Sequence, residues 1–540
     1  MKINKYIVLI SSVAVITSCD LDKFPEGGTV TQDQKNEVVE MIPERLSSEI
    51  NGLKTGLYQH TNLILSDYHF DYGFPAVCMM YEMAGQDMTC SNDVIGYNWY
   101  ISSQHLSDRT VTSLYNSFMW KQYYTHIKIA NDILKSIPLD TENPTLKKYR
   151  GQALAARAFD YLQLIQSYQF TYIGHESSKG VPIVLDTTED EVLTNNPRAT
   201  VQEVYTQIME DLNNAISMLT GVKSRSDKGE ISLEVAYGLR ARANLLMGQW
   251  KAAASDAVNA CTGFTAYSTT QVSKPAFYAS TDNAWIWGIV ITPEDYLVKT
   301  AIVNWPSMLC SLTGMGYTTA ADAADVSYRA INSDLWSIIP ASDVRKGWWV
   351  DTNLHSDVLD NGFGEEDAYG WANGLYGNSK FSPYVNVKFG PEDGEPANQT
   401  NSQDWPLMRV EEMKLIEAEA IGRENLGEGK QKLEAFVRAY RDPQYTCSAT
   451  NVEEFVDAVW LQRRIELWGE GFSFFDLLRL KKPLVRSGAN FPVKSTFGVI
   501  KAESPIMIYM IPESETSVNK AITPSDNNEP AIPPTPVVGK

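Results

Sequence analysis

Residues 148–168 read KYRGQALAARAFDYLQLIQSY, and this stretch decides the fold. Leu154, Ala158, Tyr161, Leu162, Ile165 and Tyr168 recur at spacings of three and four, which aligns them on one face of a helix. Arg150, Arg157 and Asp160 lie beside that stripe. A helix of this kind needs partners for its apolar face, and the neighbouring sequence supplies them. Upstream, Leu114, Phe118, Tyr123, Ile127, Ala130, Ile133 and Leu134 form a second stripe that Pro138 closes. Downstream, Val204, Tyr205, Ile208, Leu212, Ala215, Ile216 and Leu219 form a third. Thr200 and Glu203 in front of it have the spacing of a capping box.

Residues 231–248 and 250–261 continue the pattern, with Ala236, Leu239, Ala243, Gly248, Trp250, Ala254 and Ala257. Small residues at close crossings and a turn glycine resemble a tetratricopeptide hairpin, loosely. Helices are expected again over 408–422, 429–440, 452–468 and 476–479, and Ile506–Ile511 reads as a buried strand. Between Phe264 and about Gln403 the periodicity collapses into Gly, Asp, Asn and aromatic residues, a composition too aromatic for a disordered chain. The reading is therefore a mainly α fold: a TPR-like helical-pair scaffold at about 48–263 and 405–522, carrying an irregular loop-rich subregion at about 264–404.

The amino terminus is different. Lys2 and Lys5 precede an apolar run from Tyr6 to Ile16, which is shorter than the roughly 20 residues that span a bilayer. Residues 1–18 are read as a signal peptide. Ile16-Thr17-Ser18-Cys19 resembles a bacterial lipobox, which implies lipidation of Cys19. Residues 19–47 are polar, with Pro25, Gly27 and Gly28, and read as a tether.

There are 46 basic and 66 acidic residues, a net charge of −20. No basic stripe for nucleic acid is visible. Beyond Cys19 five cysteines remain, with no metal spacing, and most are expected to be small buried residues. A Cys78–Cys90 pair stays open.

The ordered blocks resemble the SusD/RagB family of outer-membrane lipoproteins. They are Leu21-Asp22 and Pro25, Arg150–Tyr168 followed by Gly180-Val181-Pro182, and Ala236–Trp250. Further on come WPLMRVEEMKLIEAEA at 405–420, RRIELWGEGFSFFDLLR at 463–479, and Ile511-Pro512-Glu513-Ser514-Glu515 with Asn519. Ser473 departs from the Arg or His common at that place, which points to a missing salt bridge near Asp476. The resemblance implies a SusD-like fold and a lipid-anchored protein facing the cell exterior. It further implies capture of oligo- or polysaccharide and delivery to a TonB-dependent, SusC-like transporter. Peptide uptake in the manner of RagB is the alternative, as are a lid that touches little ligand and, further off, a surface glycosidase.

Aromatic rings carry the ligand expectation, because a flat ring supports the C–H face of a sugar while nearby polar groups meet its hydroxyls. Tyr97, Asn98, Trp99 and Tyr100 come first, in the part of the chain where the family places ligand-contacting aromatics. Trp305 and Tyr317 come second, and Trp371 with Tyr376 third. Trp285 and Trp287 alternate in an apolar run and read as strand core. No catalytic residue and no cofactor are expected. Glu466 and Glu470 have the carboxylate pairing a glycosidase needs, but Arg463 and Arg464 stand beside them at helical spacing and would hold them ionised. Glu411, Glu417 and Glu419 read the same way. There is no Gly-x-Ser-x-Gly elbow, and the histidines His60, His69, His105, His126, His175 and His355 are scattered. No metal site is assigned: Asp357–Asp367 lacks EF-hand spacing, although calcium there is a weaker alternative.

Overall fold

In the computed structural model the described residues are 32–59, 63, 69–91, 98–222, 225–318 and 327–537. The signal segment, Cys19 and Tyr97 lie outside them.

Helices dominate. They are α1 (Gln32–Met41), α2 (Ser47–Thr55), α3 (Phe74–Ala84), α4 (Leu114–Ser136), α5 (Pro144–Tyr168), α6 (Val201–Leu219), α7 (Leu233–Leu246) and α8 (Trp250–Ala260). Inside the irregular region lie α9 (Asp357–Phe363) and α10 (Glu365–Ala372), and after it come α11 (Val410–Glu424), α12 (Leu426–Tyr440), α13 (Val452–Glu466) and α14 (Ser473–Arg479). Each long helix packs on the next: α4 on α5, α5 on α6, α6 on α7, α7 on α8, then α8 on α11 and α11 on both α12 and α13. This is the expected run of helical pairs. The polar stretch read as tether is partly helical, since α1 and the turn after it bury Val39 and Leu46 in the main core.

Local chemistry sets the ends. Thr200 and Glu203 form the capping box of α6. Helix α5 starts four residues before the apolar stripe suggested, because Asn143 Oδ1 accepts from Thr145 N and Leu146 N and Pro144 fits the first turn. It is also buried on more than one face, since α4 and α6 flank it. The polar residues beside its stripe therefore need partners. Arg150 Nη1 donates to the carbonyls of Leu134 (3.2 Å) and Ile137 (2.9 Å), which end α4. Arg157 pairs with Asp211 through Nε and Nη2, both at 2.8 Å.

Two small antiparallel sheets stitch the loop-rich region to the helices. Strand β1 (Met88–Cys90) pairs with β3 (Arg329–Ile331), and β2 (Trp285–Ile289) pairs with β4 (Trp405–Arg409), with Trp285 opposite Arg409. Trp285 and Trp287 are buried as expected. The helix expected from residue 408 begins only at Val410, because residues 405–409 are extended and pair with β2. Ile506–Ile511 is not a strand. It is buried, but its backbone bonds go singly: Tyr509 N donates to Ser167 O, Met510 N to Arg109 O and Ile511 N to Asn527 Oδ1. One apolar core runs from Val39 to Ala531, through both the helical pairs and the loop-rich region. Cys78, Cys90, Cys261, Cys310 and Cys447 are all free thiols, four of them buried.

Candidate functional site

The chain before α4 and the irregular middle meet at one aromatic cluster. His69 stacks on Trp99 with centroids 4.5 Å apart and planes 18° from parallel. Tyr317 stands against both, 5.6 Å from His69 and 6.2 Å from Trp99. Trp99 is half-buried, and its indole Nε1 has no hydrogen-bond partner among the described residues. With one face on His69 and an edge toward Tyr317, Trp99 can offer only its other face to a ligand. Tyr317 itself is buried and its backbone is pinned: its N–H donates to Ser307 O (2.9 Å) and its carbonyl accepts from Ser327 N (3.1 Å).

The other expected site residues among those described are buried. Asn98 is buried and its Nδ2 donates to Gln104 Oε1 at 3.2 Å. Tyr100 is buried, its hydroxyl donates to Tyr72 at 2.7 Å, and burial pushes its phenol well above the usual range. Trp305 is 1% exposed; its Nε1 donates to Gln403 O at 2.9 Å and its ring meets Trp405 edge-on at 5.0 Å. Trp371 is 4% exposed. These corrections share one cause. A large ring gains most by leaving water, and the irregular region has its own core to fill. His69 went unassigned because its sequence neighbours say nothing about Trp99, and only the tertiary structure brings the two together.

The carboxylates are locked in a buried ionic network. Glu466 meets Arg441 (2.7 Å), Arg345 (3.3 Å) and Arg409 (3.3 Å), while Glu470 meets Arg409 (2.8 Å) and Lys388 (2.7 Å). Glu411 also meets Arg409 (2.9 Å) and Arg441 (3.1 Å). The partners differ from those the helical spacing suggested. Arg463 pairs with Asp476 (2.7 Å) and Arg464 with Asp87 (2.5 Å). Neighbouring guanidinium groups hold Glu466 and Glu470 below the usual carboxylate range despite burial, and Glu419, between Arg479 and Arg423, is held down at about 2. A proton donor needs the opposite shift. Ser473 leaves Asp476 paired, with Arg463 and with Arg479 (2.6 Å), and its own hydroxyl donates to Asp87 at 2.5 Å.

Among the described residues no helix is long and apolar enough to cross a membrane. Residues 77–245 match a family model described as SusD-like, starch-binding and associating with the outer membrane, and residues 351–528 match the model of the SusD family. A SusD-like protein from Formosa agariphila is 23% identical over 402 residues, covering 67% of this chain and 72% of that one. The fold matches a SusD-like carbohydrate binding protein from Bacteroides vulgatus with a TM-score of 0.70 at 21% identity, covering 90% of this chain and 98% of that one. A laminarin binding SusD-like protein aligns with a TM-score of 0.60 at 16% identity, over 90% and 98% of the two chains. Two matches to one family, in order along the chain, and a shared fold over nine-tenths of its length place it: the chain belongs to the SusD family.

Proposed function

We propose that this protein binds oligo- or polysaccharide at the cell surface and passes it to a TonB-dependent, SusC-like transporter, without transforming it. The observation that carries this reading is the half-buried Trp99 ring, held on His69 and beside Tyr317. A ring fixed in this way is pre-organised to receive the C–H face of a sugar, so little ordering is left to offset on binding. Membership of the SusD family and the likeness to a laminarin binding protein support the same ligand class. Lipid on Cys19 would hold the protein at the outer membrane.

The test is a titration of the detergent-solubilised full chain against a panel of glycans. Trp99→Ala is expected to weaken binding about tenfold, which is about 1.4 kcal/mol. If no glycan binds while a peptide library does, the ligand class moves to peptides. Sugar release during prolonged incubation, abolished by Glu466→Gln with the fold intact, would show an enzyme instead. Cys19→Ala is expected to shift the protein out of the membrane fraction.

A further inference from the structure

A small cavity opens between α5, α7, α11 and α14, and neither Trp99, His69 nor Tyr317 lines it. Its volume is about 50 Å³. The buried side chains of Leu162, Leu246, Ile416 and Phe475 give it an apolar wall. Gln166, Arg242, Phe472 and Arg479 are its part-exposed members and mark the mouth. Arg242 and Arg463 lie against the Phe472 ring, 5.1 and 5.8 Å from its centroid, and these contacts hold the mouth in shape.

Two polar atoms of the wall are buried and uncommitted. Gln163 is 6% exposed, and its Oε1 has no hydrogen-bond partner among the described residues. Arg463 is 4% exposed; its Nε donates to Asp476 at 2.7 Å, but its Nη1 has no partner there either. One atom is an acceptor and the other a donor. Buried polar atoms ordinarily find protein, water or ligand to bond. At roughly 10–15 Å³ each, a few waters have room, but each needs two to four polar partners. Leucine, isoleucine and phenylalanine supply none, so a molecule with an apolar body fits this wall better.

The charges of the wall decide the head group. Arg242 pairs with Glu412 (2.7 Å), Arg479 with Glu419 (2.7 Å) and Asp476 (2.6 Å), and Glu470 with Arg409 (2.8 Å) and Lys388 (2.7 Å). With Arg463 on Asp476, every charged side chain of the wall already has its counter-ion. A carboxylate would add an unmatched charge beside Glu412, Glu470 and Asp476, and it has no proton to donate to Gln163 Oε1.

We propose that this cavity binds a small neutral molecule with an apolar body and an alcohol or amide head, which accepts from Arg463 Nη1 and donates to Gln163 Oε1. The site stands apart from the glycan-binding reading and does not depend on it.

The experiment is saturation-transfer NMR on the detergent-solubilised full chain at neutral pH. Its probes are propanamide and the near-isosteric propionate, at equal concentration. Propanamide should receive saturation from the protein and propionate should not. Gln163→Leu removes an acceptor that has no partner in the fold, so it should keep the unfolding midpoint and lose the propanamide signal. Leu246→Phe, which fills the cavity, should lose it too; if that variant does not fold, Gln163→Leu decides alone. An equal signal from propionate overturns the neutral class. A propanamide signal unchanged in the folded variants lies elsewhere and overturns the site. No propanamide signal from the parent chain leaves the cavity to water and overturns the proposal.

Discussion

Arg441 grips Glu466 with two nitrogens, Nε to Oε2 at 2.7 Å and Nη2 to Oε1 at 2.9 Å, and neither residue is open to solvent. Arg441 lies just past the end of α12 and Glu466 closes α13, so this pair joins two helices. Arg345 and Arg409 reach the same carboxylate from the loop-rich region and from β4. The network therefore fastens the irregular subregion to the helical pairs. Removing Glu466 leaves buried guanidinium groups without their shared counter-ion. Glu466→Ala should lower stability by about 3–5 kcal/mol. Urea unfolding followed by circular dichroism checks it; a midpoint within a few tenths of a kcal/mol of the parent would refute the role. Coupling between Arg441→Ala and Glu466→Ala in a double-mutant cycle should be well below additive loss.

A separate ion-pair cluster, Glu419 with Arg479 and Arg423, sets the acid limit. Glu419 is held down at about 2 in the fold, against an ordinary value of 4.5. A depressed folded pKa contributes stability that is present above 4.5 and lost as pH falls toward 2. The contribution is of order 3 kcal/mol. Unfolding midpoints measured from pH 6 down to pH 2.5 should drop most steeply below pH 4.5, and Glu419→Gln should flatten that drop while lowering stability at neutral pH.

His126 predicts the opposite slope. Its Nδ1 lies 2.8 Å from Asp160 Oδ2 and its Nε2 2.7 Å from Leu53 O, so both ring nitrogens face acceptors and the buried imidazole is held protonated. The pair with Asp160 raises His126 despite burial, and burial pushes Asp160 up to about 6. Both shifts mean that the folded state keeps protons the unfolded chain releases. The share of Asp160 is full below its ordinary 3.8 and is lost as pH rises through about 6, while that of His126 is full below 6.5 and is lost as pH rises through its raised value. His126→Ala should lower the midpoint at pH 6 and remove most of the difference between pH 6 and pH 9. A parent midpoint that rises over that range would overturn the assignment.

Gly422 and Gly429 mark a close approach of helices. A Cβ on Gly422 would fall 1.9 Å from Phe455 Cε1, and one on Gly429 would fall 2.2 Å from Gly422 Cα. Helices α11, α12 and α13 can meet there only without side chains. Gly422→Ala should cost about 1–3 kcal/mol or more from overpacking, which exceeds its gain in helix propensity. Thermal unfolding checks the sign; a stabilised variant would mean that the helices part easily.

Much of the scaffold was legible from local pattern. Apolar spacing of three and four located α4, α5, α6, α7 and α8, and Thr200 with Glu203 located the start of α6, because a helix is made of contacts within a few residues. The helix start expected at 408 came too early for a related reason: residues 405–409 form a strand, a strand depends on a partner, and theirs lies at 285–289. Charge pairing was legible in kind but not in detail. Helical spacing suggested Arg463 and Arg464 for Glu466 and Glu470, whereas Arg441, Arg345, Arg409 and Lys388 hold them, brought in from elements 25 to 121 residues away in the case of Glu466.

The site divides the same way. The sequence by itself determined a helical-pair scaffold, an aromatic-rich irregular middle and a family, since these follow from periodicity, composition and ordered motifs. Which rings reach the surface was decided only by the tertiary structure. Trp99 and Trp305 each follow an asparagine, Asn98 and Asn304, yet one stands half-buried on His69 and the other fills the core against Trp405. Exposure is a property of what packs on a ring from elsewhere in the chain, and no local pattern contains it.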